Sequence, residues 1–247
     1  IAPPLTTDAA IEEDEKEKKS TKANNIVKTA VVCKAPIGFS NLGNTCYLNA
    51  TIQCMLNVPA FVHEIQKNAE NSKETSVTRA LSEIVKQGEN KESVTLTSLA
   101  RVKSALECHF PSVFAGTNQQ DAHECFVRIL EALELEHPDS YECPFSFNVS
   151  VEMRCKNCKH KTLIEEGGNV DIGLDLPSSC PEELSIERLL TVRYFKAERI
   201  HKNCDGCGEK DVVHGLRRRL LTHPKALVIH LKRFVFHAPT TTTKTSS

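Results

Sequence analysis

The chain has 247 residues, with 31 Lys+Arg against 32 Asp+Glu and a formal net charge of −1, so electrostatics favour neither nucleic acid nor an anionic membrane surface as a partner. Hydrophobic residues make up 40% and Trp is absent; a chain of this size can bury about 70% of its extended surface, and collagen-like and wholly disordered classes are excluded. Eleven cysteines are an odd count. With no basic and apolar leader at the start, they argue against a secreted disulfide scaffold and for a reducing compartment where thiols serve metal or catalysis. The longest apolar stretches, such as Ala226 to Leu231, have strand length and are broken by His230, too short to span a bilayer. The expectation is a soluble intracellular protein of the nucleus or cytoplasm.

Residues 1–35 keep no persistent period. Through Lys34 they hold six acids and six lysines, including IEEDEKEKKS from Ile11 to Ser20, and read as a solvated lead-in. From Ile37 to about Asp139 apolar residues recur at helical spacing: Leu48, Ile52 and Leu56; Leu81, Ile84 and Val85; Leu99, Val102 and Leu106; then Phe126, Ile129, Leu130 and Leu133. Pro59 interrupts the first pattern, Gly88 and Asn90 follow the second, and His137-Pro138-Asp139 stops the last.

The period then falls to two. Phe145, Phe147, Val149, Val151 and Met153 alternate into a Cys-rich turn, and Val170, Ile172, Leu174 and Leu176 alternate again. Ser185 to Tyr194 is a short helix-compatible run, and Asp211 to Leu221 and Ala226 to Phe236 resume extended patterns. Leu216-Arg-Arg-Arg-Leu220 reads as a solvated strand edge rather than a nucleic-acid patch. Thr240 to Ser247, Thr/Ser-rich, reads as a loop or linker. Helices first and sheet second make the predicted class α+β.

Two CxxC units, Cys155-Lys-Asn-Cys158 and Cys204-Asp-Gly-Cys207, each adjoin a predicted extended run. Each such turn presents two sulfurs to a common point, and two turns complete the tetrahedral thiolate set of structural Zn²⁺. Closed by four cysteines, that site keeps no open position for catalysis, so zinc would tie strand ends together and contribute folding energy.

A different cysteine has the surroundings of a nucleophile. In IGFSNLGNTCYLNA (Ile37 to Ala50), Cys46 follows Gly38, Asn41, Gly43 and Asn44 and immediately precedes an amphipathic run. The first turn of a helix favours a thiolate there, although buried structural thiols are common. Backbone N–H groups near Cys46, with the Asn41 amide if the turn folds back, are candidate oxyanion donors. Cys54, eight residues on, reads as packing; Cys33, Cys108, Cys125, Cys143 and Cys180 have no paired spacing and read as core or surface thiols.

The run GFSNLGNTCYLNATIQC (Gly38 to Cys54) resembles the cysteine box of the ubiquitin-specific proteases. Asn118-Gln-Gln-Asp-Ala-His-Glu124 resembles the QQD-containing segment of that family, the two CxxC pairs its zinc fingers, and Leu227-Val-Ile-His-Leu-Lys-Arg-Phe234 its palm strand. The resemblance covers about Pro36 to Phe236. It implies a papain-like cysteine peptidase fold: a helical thumb over 36–139, zinc-binding fingers and the start of the palm over 140–225, and a palm strand over 226–239. It also implies that Cys46 is the nucleophile, that Asn41 serves the oxyanion hole, and that Asp121 and Gln120 bind ubiquitin, Asp121 at its basic C-terminal stretch. From the residues themselves, Asp121 is equally a helix N-terminal cap.

The same resemblance makes an absence visible. The family's general-base histidine, in a Gly-His-Tyr-like box, and the Asp or Asn that orients it are not found in these residues. His123, His214, His223, His230 and His237 each have a structural explanation instead. The expectation is therefore an incomplete catalytic domain, inactive alone, whose partners are ubiquitin, ubiquitinated proteins and the remaining palm segment or an activating protein. A zinc-supported ubiquitin-binding module without turnover is the alternative.

Overall fold

The computed structural model describes residues 38–90, 92–176 and 184–233. The lead-in over 1–35, Cys33, Cys180, His237, the far end of the palm motif and the Thr/Ser-rich tail lie outside the described residues.

Helices α1 (Cys46–Leu56), α2 (Pro59–Ala69), α3 (Val77–Glu89), α4 (Leu96–His109), α5 (Pro111–Phe114) and α6 (Ala122–Glu136) form one cluster. Its core is the stripe that helical spacing anticipated: Leu48, Ile52, Leu81, Ile84, Leu99, Leu106, Ile129 and Leu133 are essentially inaccessible. Pro59 corrects one expectation. It does not merely break α1 but starts α2 as its first residue, where its fixed φ and missing N–H cost nothing. Ser76 and Thr95 cap α3 and α4 by accepting from the N–H groups of Arg79 and Ser98. Among the described residues no helix is long and apolar enough to cross a membrane.

The α3 start has a second cap, contributed by another helix. Glu136, the last residue of α6, accepts from the N–H groups of Val77 (2.7 Å) and Thr78 (3.0 Å) and from the Thr78 hydroxyl (2.6 Å), and contacts His109 Nε2 at 3.0 Å. Burial opposes ionisation of this carboxyl, but the Thr78, Val77 and His109 hydrogen bonds outweigh it and hold its pKa below the usual range. Because the folded pKa is depressed, the stabilisation is present above the unfolded value of about 4.3 and is lost as pH falls through the folded one. Glu136→Ala should cost about 2–3 kcal/mol at pH 7, measured by urea unfolding, with a smaller difference at pH 3; an equal loss at both pH values would mean that packing, not charge, is what Glu136 supplies.

Beyond α6 the chain makes sheet. Strands β1 (Phe147–Cys155), β2 (Lys161–Asn169), β4 (Glu198–Lys202) and β5 (Val212–Leu220) form an antiparallel sheet in the order β2-β1-β5-β4, while β3 (Ile172–Asp175) and β6 (Ile229–Lys232) pair in parallel. Val149, Val151, Met153 and Leu216 pack with Ile172, Leu174 and Leu189 as a second core. A short α7 (Ile186–Leu189) and a π-helical turn (Leu190–Tyr194) occupy the helix-compatible run.

Two expectations change here and a third holds. Phe145 and Val170 lie outside the strands; Phe145 instead packs in the helical core, 5.2 Å from Phe126 edge-on and 5.9 Å from Phe61. Strands β2 and β4 escape the period-two test because neither buries a continuous face. The segment Leu216 to Leu220 is a solvated edge as read, since β4 pairs with β5 only as far as Leu216 and Arg217 to Leu220 pair with β1 alone; Arg218 is held there by Glu198 at 3.0 Å and over the Tyr194 ring.

Candidate active site and metal centre

Cys46 is the first residue of α1 and is exposed. The loop before it turns through two left-handed residues, Gly43 (φ 87°) and Asn44 (φ 48°), a geometry that glycine and asparagine tolerate best. Asn41 fastens that turn. Its Oδ1 accepts from the N–H groups of Gly43 and Thr45, both at 3.1 Å, and from the Thr45 hydroxyl at 2.9 Å. Farther contacts fix the loop to its surroundings: Asn44 Nδ2 donates to the Thr117 carbonyl and Asn49 Nδ2 to that of Ser40.

One consequence decides what the site can do. Thr45 is the N-cap residue, and a threonine there ordinarily accepts a hydrogen bond from the first turn. Here its hydroxyl faces backward, donating to Asn41 and accepting from Leu42 N–H, so α1 has no side-chain cap. The helix start beside Cys46 thus offers N–H groups to an incoming oxyanion. Because the carbonyl end of Asn41 is occupied by the loop, Nδ2 is the end it can present to a substrate.

The QQD segment meets this site from the other side. Gln119 Nε2 lies 3.9 Å from Cys46 Sγ as a hydrogen-bond donor, a contact that the sequence did not single out. Gln120 is half-buried. Asp121 caps α6, its Oδ1 accepting from the N–H groups of His123 (2.6 Å) and Glu124 (3.1 Å). The Thr51 hydroxyl of α1 shares its proton between the Tyr47 carbonyl of its own helix at 2.9 Å and the Ala122 carbonyl at 3.1 Å, which brings α1 against the start of α6. Cys54, expected to be packed, is instead exposed and borders a cavity of about 400 Å³ with Met55, Phe126 and Leu227.

Six of the described histidines are engaged with groups other than Cys46. His109 contacts Glu136, His137 contacts Ser72 and Thr78, His214 the Val212 carbonyl, and His201 Asp211. His123 stacks on His230 with centroids 3.9 Å apart.

At the far end of the sheet Cys155, Cys158, Cys204 and Cys207 bring their sulfurs within 4.8 Å of one another, a set able to hold a metal ion. Cys155 ends β1 and Cys204 follows β4, so the four come from two turns that only the sheet brings together. The backbone N–H of Cys207 foremost, then that of Gly206, with the His214 and Cys158 side chains, draw Cys204 down to about 5 against the effect of burial, while Cys158 and Cys207 beside it are shifted up. Gly206 makes room for the turn, since a Cβ there would lie 2.5 Å from His160 Cβ.

A family model described as ubiquitin carboxyl-terminal hydrolase matches residues 37–247. Among curated relatives, ubiquitin carboxyl-terminal hydrolase 37 of Gallus gallus is 28% identical over 238 residues, covering 81% of this chain and 24% of the relative. The Homo sapiens protein of that name is 29% identical over 234 residues (81% and 23%), and ubiquitin carboxyl-terminal hydrolase 29 of Homo sapiens is 27% identical over 237 residues (81% and 25%). The chain thus spans about a quarter of the length of these relatives. In fold it is similar to the SAGA DUB module Ubp8/Sgf11/Sus1/Sgf73 bound to monoubiquitin, with a TM-score of 0.64 and 22% identity over 81% of this chain and 48% of that one. The same module bound to ubiquitin aldehyde gives a TM-score of 0.61 and 22% identity over 80% and 47%.

Proposed function

This chain belongs to the ubiquitin carboxyl-terminal hydrolase family, and we propose on that premise that it is the nucleophile-bearing part of a thiol deubiquitinase of the ubiquitin-specific protease type. The observation that carries the reading is the exposed Cys46 at an uncapped helix start whose preceding loop is fastened by Asn41. In this reading residues 36–139 are the thumb, 140–225 the fingers and start of the palm, and 226–239 the palm strand. The four-cysteine cluster holds structural Zn²⁺. A neighbour of similar fold bound to monoubiquitin supports ubiquitin as the partner, and the place of action in this reading is the nucleus or cytoplasm.

The chemistry follows from the donor arrangement. The Cys46 thiolate attacks the carbonyl carbon of ubiquitin's C-terminal glycine, and the oxyanion is held by first-turn N–H groups and Asn41 Nδ2. The tetrahedral species collapses by expelling the lysine amine, which takes its proton from an imidazole; water then hydrolyses the thioester. In this reading that imidazole comes from a segment other than residues 1–247; among the described residues the hydrogen bond reaching Cys46 Sγ is from the Gln119 amide. The same observation gives the second reading its support: an amide in place of an imidazole is what a ubiquitin-binding module without turnover would carry.

Asp121 and Gln120 then hold the basic C-terminal stretch of ubiquitin. Since Asp121 is also a cap, the two roles must be separated by choice of variant. Asp121→Asn retains a capping oxygen and should leave thermal stability unchanged while weakening ubiquitin binding about tenfold, ~1.4 kcal/mol. Asp121→Ala should lose the same affinity and also about 1 kcal/mol of stability. Calorimetric titration with ubiquitin, paired with thermal unfolding, checks both; unchanged affinity in Asp121→Asn would leave Asp121 a cap alone.

A further inference from the structure

We propose that His123, Asp171 and His230 form a second metal site, for a borderline divalent transition ion such as Zn²⁺, distinct from the four-cysteine cluster. The three residues come from three places, the first turn of α6, the residue preceding β3, and β6, yet their ligand atoms all lie within 4.8 Å of one another. Two imidazoles and a carboxylate are a donor set that suits Zn²⁺ and its neighbours in the first transition row.

The individual atoms point the same way. His123 Nε2 is buried and makes no hydrogen bond, although Asp171 Oδ2 is only 3.2 Å away; a buried ring nitrogen without an aligned partner lacks what a ligand would supply. Lys232, the nearby cation on β6, is drawn to Asp175 at 3.4 Å.

Ligation replaces the present stacking. The rings lie face to face with their planes 15° apart, and rotation about χ2 turns their edges toward a common point. Ligand atoms around tetrahedral zinc sit roughly 3.3 Å apart, so closure takes side-chain movement of about an ångström. His123 and His230 also line the cavity of about 400 Å³, which gives an ion its entry path and leaves the remaining coordination positions to water. Once bound, the ion would pin β6 and the approach to β3 onto the start of α6, one residue from the Asp121 cap.

The test is Zn²⁺ stoichiometry and affinity, read by competition with a chromophoric chelator on the folded chain and followed by the imidazole signals in NMR. Two equivalents are expected, the weaker shifting the His123 and His230 resonances. Asp171→Asn and His230→Ala should each weaken that equivalent at least about tenfold and leave the tighter one intact. Asp171→Asn is near-isosteric and decides the matter if His230→Ala fails to fold. Saturation at one equivalent, or a second equivalent that binds equally well in Asp171→Asn, would overturn the proposal.

Discussion

With Zn²⁺ held by the four cysteines as proposed, stripping it should unfold the far end of the β2-β1-β5-β4 sheet while the helices stay folded. The reason lies in how little apolar material that end contains. Around the cluster the buried core is Cys155, Cys204 and Val212 alone, worth a few kcal/mol of burial at about 1.5–3 kcal/mol per side chain. Structural zinc supplies about 10–16 kcal/mol, so the metal decides whether the two turns stay together. The helical cluster has its own extensive core and does not depend on the metal in this way. A strong chelator should therefore collapse the amide dispersion of Val212 and His214 and leave the far-ultraviolet helical signal nearly unchanged. Cys204→Ser should do the same without chelator. A sheet that keeps its dispersion with no metal bound would show that strand pairing suffices.

The second large effect is expected at Cys46. Ubiquitin carrying an electrophile at its C-terminus should label this chain at Cys46, and Cys46→Ala should reduce labelling by at least about 10³-fold. Free reactivity cannot produce that selectivity, since Cys54, Cys108, Cys158 and Cys207 are exposed too. Bound ubiquitin can, because holding the reacting carbon against one thiol is worth effective molarities of about 10⁵ M and more. Cys54, on the same helix and roughly 12 Å farther along it at 1.5 Å per residue, serves as the internal control: Cys54→Ala should label as wild type does. Labelling spread over several cysteines would mean that ubiquitin is not docked with its tail at the α1 start.

How much of this was legible in the residues depended on whether a single short-range signal carried it. The helical stripe through Leu48, Leu81, Leu99 and Ile129 was, because each helix buries one face. So were the CxxC pairs, whose spacing is itself the chemistry. Strand β2 was not, for it is largely exposed and leaves no alternation to read. Phe145 misled because its period-two neighbours are strand residues, while Phe61 and Phe126, far off in sequence, are its actual partners.

The site divides in the same way. The run around Cys46 announced a turn and a helix start, and both are present. That Asn41 would use its carbonyl, turning Thr45 away from its own helix, depends on backbone angles at Gly43 and Asn44. Gln119 reaches Cys46 across 73 positions, and Asp171 meets His123 only through tertiary folding. Adjacent residue types give no sign of either contact.

The release of a fluorophore from the C-terminus of ubiquitin by the folded, zinc-loaded chain, with Cys46→Ala as its control, tests most directly whether Cys46 is a nucleophile awaiting an external imidazole. No steady-state release above the control is the expected result, with release appearing when the segment carrying that imidazole is joined to the same chain and disappearing again in Cys46→Ala. Turnover by residues 1–247 alone that Cys46→Ala abolishes would contradict it, since a histidine within these residues would then complete the site.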